Sequence, residues 1–168
     1  MKYRIEQDPD PISPREQADN NLFLVAKHDQ FYVPAPGETR VPRYANEVVD
    51  KYKKTHWIFP IEAYIHSGVA LAFSGEGNFP DRQWDVSQLG FIFASKKEWR
   101  LSKSAREAAK GLIDHWNQYL SGDVWRYILE NNEGEVIESV WGFYGHEYCE
   151  EQAKASMKPY QACVPVNA

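Results

Sequence analysis

The chain has 168 residues, of which 43% are hydrophobic and 26% charged, and its net charge is −5. That composition excludes wholesale disorder, and the length suits one domain with a core of its own. Aromatic residues are in surplus at 14%, with 8 Phe, 10 Tyr and 6 Trp.

Residues 1–20 read as a polar N-terminal arm, spiked by Pro9, Pro11 and Pro14, with a short opening strand at Tyr3–Glu6. Leu22–Ala26 and Phe31–Val33 flank a polar turn as a β-hairpin. Pro34–Pro42 is a loop, and then Ala45, Val48, Val49 and Tyr52 fall at helical spacing. That helix ends near Lys53 and Lys54, cations suited to a helix C-terminus. Pro60 and Gly68 divide the apolar stretch His56–Phe73 into strands near 57–65 and 69–74. A Gly/Asn/Pro loop at Gly75–Asp85 leads to a strand at Gln88–Ala94, after which Ser95 caps a turn through Trp99.

The clearest helix runs over Ser102–Leu120. Ala105, Ala108, Ala109, Leu112, Ile113 and Trp116 recur at three and four, and Gly122 supplies the stop. Val124–Leu129 and Val136–Phe143 flank Asn131-Asn132-Glu133-Gly134, a strong hairpin signal. Glu147–Met157 closes the chain as a helix, and residues 158–168 read as a loose tail. The sum predicts an α+β fold: a single domain at 21–157, a mainly antiparallel sheet with about three helices packed on one face.

Charge is uneven. Tyr127–Ala153 holds seven acids and no Lys or Arg, whereas Lys96–Lys110 holds six bases against two acids. Either each run is a solvated face, or the surface is bipolar and steers a partner or pairs copies of the chain as a homodimer. The acidic total argues against direct nucleic-acid binding, whose usual footprint is basic. No membrane span is expected, because the longest uncharged apolar stretch, Ala63–Gly75, is shorter than the roughly 20 residues required. The first six residues lack a signal sequence's apolar core. Cys149 and Cys163 read as free thiols of a reducing cytoplasm. With no CxxC and scattered histidines, neither a metal nor a cofactor is expected.

Three constellations could carry chemistry. The first joins His66 and Ser67 in the turn after Tyr64-Ile65 to Arg82, Trp84, Asp85 and Gln88. If the following strands pair, Asp85 could orient His66 for base work, with Ser67 or Ser87 as nucleophile. The same residues suit a ligand or partner contact, a small nucleotide among the options, or simply turn chemistry at strand ends. The second is His146 and Cys149, three apart on the last helix; its neighbouring glutamates make a buried, inert thiol the simpler reading. The third is aromatic. Trp125 and Tyr127 on one hairpin strand face Trp141, Phe143 and Tyr144 on the other, where cross-strand stacking and an exposed binding face are both open.

Several blocks carry a resemblance: Phe23–His28, Tyr64-Ile65-His66-Ser67-Gly68, Trp84–Phe93, Trp116–Val124 and Trp141-Gly142-Phe143-Tyr144-Gly145. Together they resemble a family of small, largely uncharacterised proteins of bacteriophages, plasmids and integrated mobile elements, over about Leu22–Lys154. The resemblance implies no reaction and transfers no catalytic residue. It implies a mobile-element setting in a host bacterial cell, where small acidic accessory proteins act by binding. The expectation is therefore a protein that antagonises a host defence component, of anti-CRISPR or anti-restriction type, through contacts with a host or phage protein. A nucleotide-signal binder, or a hydrolase using His66 and Asp85, are the alternatives.

Overall fold

The structure is a computed structural model and describes residues 1–17, 20–29, 31–38, 46–80 and 82–162. Among these the elements are β1 (Lys2–Gln7), α1 (Pro14–Gln17), β2 (Leu22–His28), β3 (Phe31–Val33), α2 (Asn46–Tyr52), β4 (His56–Ile65), β5 (Val69–Phe73), α3 (Arg82–Asp85), β6 (Val86–Ser95), α4 (Ser102–Ser121), β7 (Val124–Glu130), β8 (Val136–Tyr144) and α5 (His146–Ala162). The fold is α+β, and all its strand pairs are antiparallel. The strands form two sheets rather than the one expected. By internal contact the chain divides into two compact units, residues 13–121 and residues 1–12 with 122–168. The expected domain at 21–157 spans parts of both.

In the unit of residues 13–121 five strands lie in the order β3-β2-β6-β4-β5. Strand β2 explains the layering. Phe23, Leu24, Val25 and Ala26 are all buried, so both faces of the sheet need cover. Leu24, Ile61, Leu89 and Ile92 pack with Ala109, Ile113 and Trp116 of α4 on one face. Phe23, Val25 and Phe93 pack with Val48, Val49 and Tyr52 of α2 on the other. Helices on a single face, as the sequence suggested, would have left the second apolar set in water.

Two local devices hold this sheet. Gly90 of β6 lies so near β2 that a Cβ there would sit 1.9 Å from the Val25 carbonyl oxygen. At the edge strand β5, Asn117 of α4 stands in for a missing neighbour. Its Oδ1 accepts from the Leu71 N–H at 2.7 Å, and its Nδ2 donates to the Leu71 carbonyl at 3.0 Å.

The unit of residues 1–12 and 122–168 has the sheet order β1-β7-β8, with α5 on one face. Tyr127, Leu129, Cys149, Ala153 and Met157 form its core, joined by Tyr3 and Ile5. The first residues of the expected arm are thus a full strand, since alternating Tyr3 and Ile5 have a core to enter. Lys2, Arg4 and Glu6 line the opposite face. There Lys2 and Arg4 pair with Glu130, and Arg126 pairs with Glu6. Helix α5 runs past the expected end at Met157 to Ala162, passing through Pro159. The end of the expected tail, residues 163–168 with Cys163, lies outside the described residues.

The hairpin departs from simple alternation. Phe143 stacks on Tyr127 at 5.4 Å, as period two predicts. Trp141, two residues earlier, should share that face, yet its ring lies over the Arg126 guanidinium at 3.9 Å on the other side. The cause is a register shift between Trp125 and Tyr127, where Gly142 takes a φ of 82°. An extra residue in a strand turns the side chains beyond it to the opposite face.

Two outcomes follow from these packing constraints. Gly90→Ala should lose about 1–3 kcal/mol by overpacking against backbone, read as a lower denaturation midpoint at unchanged m. Asn117→Leu should lose about 1 kcal/mol and expose an unpaired edge, so that size-exclusion chromatography detects concentration-dependent self-association.

Candidate functional site

The sequence-predicted cluster in the unit of residues 13–121 assembles in part. Strands β4 and β6 pair with Tyr64 opposite Val86, which brings the β4–β5 turn beside α3. His66 Nδ1 consequently stands 3.6 Å from Asp85 Oδ2, an ion-pair distance too long for a hydrogen bond. The His66 side chain is exposed, as are Ser67 and Ser87. Among the described residues no hydrogen bond joins His66 to either serine. An imidazole near a carboxylate, with no nucleophile held against it among the described residues, is an exposed polar pair and not an assembled relay. Gln88 is exposed on β6 opposite Glu62. The Trp84 side chain lies outside the described residues.

Arg82 is engaged within the fold. Its Nη2 donates to Glu62 Oε2 at 2.9 Å, and Nη1 donates to the Gly77 carbonyl. Glu62 is almost fully buried, and its carboxylate also accepts from the Gly75 N–H at 2.8 Å and the Gly77 N–H at 3.0 Å. Burial alone would push the Glu62 carboxyl up. The Gly75, Arg82 and Gly77 hydrogen bonds, with the Arg82 charge, outweigh it and hold the carboxyl below its usual range. This clasp fixes the loop after β5 and anchors α3. Phe79 of that loop stacks on Tyr64 at 5.5 Å. Sequence reasoning missed Glu62, although it is the lone charge in the apolar stretch His56–Phe73.

A second feature was also missed. Between β5 and α4 runs a groove of about 460 Å³, floored by Leu71, Phe73 and Ile113. On its rim the Arg106 guanidinium lies 3.9 Å over the Phe73 ring and bonds both Glu76 oxygens at 2.6 Å. The volume is that of a small-molecule site. Its charged rim is balanced, with Lys103, Arg106 and Lys110 against Glu76, Glu107 and Asp114.

In the other unit the three aromatic candidates separate. Trp125 Nε1 donates to Asp123 Oδ1 at 2.5 Å, and its ring meets His146 edge-on at 4.8 Å. Tyr144 is buried and donates its hydroxyl to the Ile12 carbonyl at 2.8 Å. Both serve the fold. Trp141 is 47% exposed, and on the same strand so are Val136 at 58% and Ile137 at 41%. Tyr148 of α5, 53% exposed, packs edge-on against Phe143. Cys149 is fully buried, which pushes its thiol up to about 11 and leaves it inert at neutral pH.

The acidic run is less free than its sequence suggests. Glu130 is engaged by Lys2 and Arg4, Glu138 by the Tyr127 hydroxyl, and Glu150 by Tyr3 and Lys154. Glu133 and Glu135 remain exposed at the hairpin turn, as do Glu147 and Glu151 on α5. Among the described residues no group of His, Cys, Asp or Glu could hold a metal ion, and no helix is long and apolar enough to cross a membrane. No family model, curated protein or solved structure matches the chain.

The Glu62 clasp has a pH signature. A carboxyl whose pKa is lowered by folding stabilises fully above its unfolded value, about 4.3, and that contribution is lost as pH falls through the folded value. Denaturation followed from pH 6 down to about pH 3 should show Glu62→Gln less stable than wild type at the top of the range. The difference should shrink toward the bottom.

Proposed function

We propose that the protein acts by binding another protein through the β8 edge of its three-stranded sheet, and that the partner is a component of host defence. The observation that carries this is Trp141. A tryptophan turned out of its core by a bulge and held in place by a guanidinium has its large apolar surface offered to solvent. Val136 and Ile137 of the same strand are exposed as well, and Glu133 and Glu135 stand exposed at its end. Preformed aromatic anchors of this kind dominate binding energy at protein interfaces. The mobile-element setting implied by the resemblance supports a CRISPR effector or restriction enzyme as the class of partner, and an action in the host cytoplasm.

The test is made in cells. In bacteria carrying such a system, expression of the protein should raise phage plating. The double variant I137D/W141D should bind its partner at least about tenfold more weakly and abolish the gain, while unfolding at nearly the wild-type temperature. A double variant as protective to phage as wild type overturns the assignment to this edge. Absence of any gain across such systems overturns the defence reading.

The groove between β5 and α4 favours one second reading, a small-ligand site of the nucleotide-signal kind. Ligand at 100 times its dissociation constant should stabilise the protein by about 2.7 kcal/mol. That shift should vanish in Arg106→Ala, and a thermal-shift series showing no change with any nucleotide removes this reading.

A further inference from the structure

The four sheet edges are not equally guarded. The β5 edge is saturated at Leu71 by Asn117. Strand β3 has only three residues, and β1 presents Lys2, Arg4 and Glu6. Short length and alternating charge both discourage further pairing. Strand β8 has nine residues, carries Glu138 as its one charge, and among the described residues pairs on one side only, with β7. Its register breaks fall near its ends, opposite Leu129/Glu130 and Trp125/Tyr127, and Val140, Ser139 and Glu138 pair regularly with Tyr127, Ile128 and Leu129 between them.

Resting on the protein-binding reading of this edge, we propose that the stretch Glu138–Trp141 takes a short, extended, Lys- or Arg-bearing segment of the partner as a fourth strand. Strand addition draws affinity from main-chain hydrogen bonds and specificity from alternate side chains. Here the alternate positions differ sharply. Glu138 and Val140 turn to the α5 face, where the Tyr127 hydroxyl donates to Glu138 and Val140 joins the core. Ser139 and Trp141 turn to the opposite face. An incoming basic side chain on that face can lie on the exposed part of the Trp141 ring, as Arg126 already does from within the sheet. The charge pattern selects the occupant. On the Trp141 face Lys2 and Arg4 are paired with Glu130 and Arg126 with Glu6, whereas Glu133 and Glu135 stand exposed at the end of β8 with no ion pair among the described residues. A second copy would set one such acidic segment against another, which complementarity disfavours.

The experiment titrates the isotopically labelled full chain with defined peptides of about seven residues, matched to a short strand. One alternates Lys with Val. Three controls alternate Glu with Val, alternate Lys with Gly, or keep Lys–Val with alternate backbone nitrogens methylated. The Lys–Val peptide should give saturable amide shifts centred on Glu138–Trp141. Each control, and the variant Trp141→Asp with Lys–Val, should bind at least about tenfold more weakly. Equal binding of the Lys–Gly or methylated peptide would reduce the effect to surface charge and overturn strand addition. No binding of Lys–Val, or a dimer in sedimentation that Trp141→Asp dissolves, overturns it too, the latter in favour of a second copy. If the peptides fail while I137D/W141D still abolishes the gain in phage plating, the partner-binding edge stands and only its occupant's chemistry falls.

Discussion

An open sheet ends in rows of backbone donors and acceptors that must be bonded, hidden or made unattractive, and the described residues of this chain form two open sheets. Each edge meets that requirement differently. A side-chain amide imitates a peptide group at β5, brevity serves at β3, and a ladder of ion pairs serves at β1. At β8 the protection is partial, two breaks in register around a regular centre that stays open. That last solution has a by-product. The break at Gly142 turns Trp141 away from the α5 core, so the feature that disturbs the edge also exposes its largest apolar ring.

Much of the architecture was legible in the residues. The 3.6-residue period of α4 and the turn Asn131–Gly134 between two apolar runs located those elements within a residue or two. The approach of His66 to Asp85 was also foreseeable, because it follows from pairing the strands that flank them. The division into two sheets was not legible, since local pattern reports that a strand exists and says little about its neighbour. The second helical layer could have been inferred from Phe23-Leu24-Val25-Ala26. A run buried at every position has no solvent face, whereas one-sided cover requires alternation.

The candidate site was less legible than the fold, for a physical reason that differs by residue. Arg82 looked like a ligand cation because its partner, Glu62, lies 20 positions earlier and its other anchors are backbone groups, which leave no mark in sequence. Trp125 and Trp141 looked equivalent because strand parity treats them alike, and parity fails at a bulge. Only the positive φ of Gly142 separates the ring that supports the fold from the ring that meets solvent. The seven acids looked like a free charged surface, but several are spoken for by Lys2, Arg4, Tyr3 and Tyr127.

The pairing of β1 with β7 reaches across the whole of the larger unit. Lys2 faces Glu130, so the segment 13–121 is an insertion between two neighbouring strands of one sheet. During synthesis at about 5–20 residues per second, that insertion can complete its own contacts from contiguous sequence. The opening strand meanwhile waits, for several seconds by that rate, with Tyr3 and Ile5 uncovered. Its partner arrives only when Trp125–Glu130 leaves the ribosome. The three-stranded sheet thus closes after the inserted unit has been made, and β1, synthesised before that unit, finds its place only afterwards.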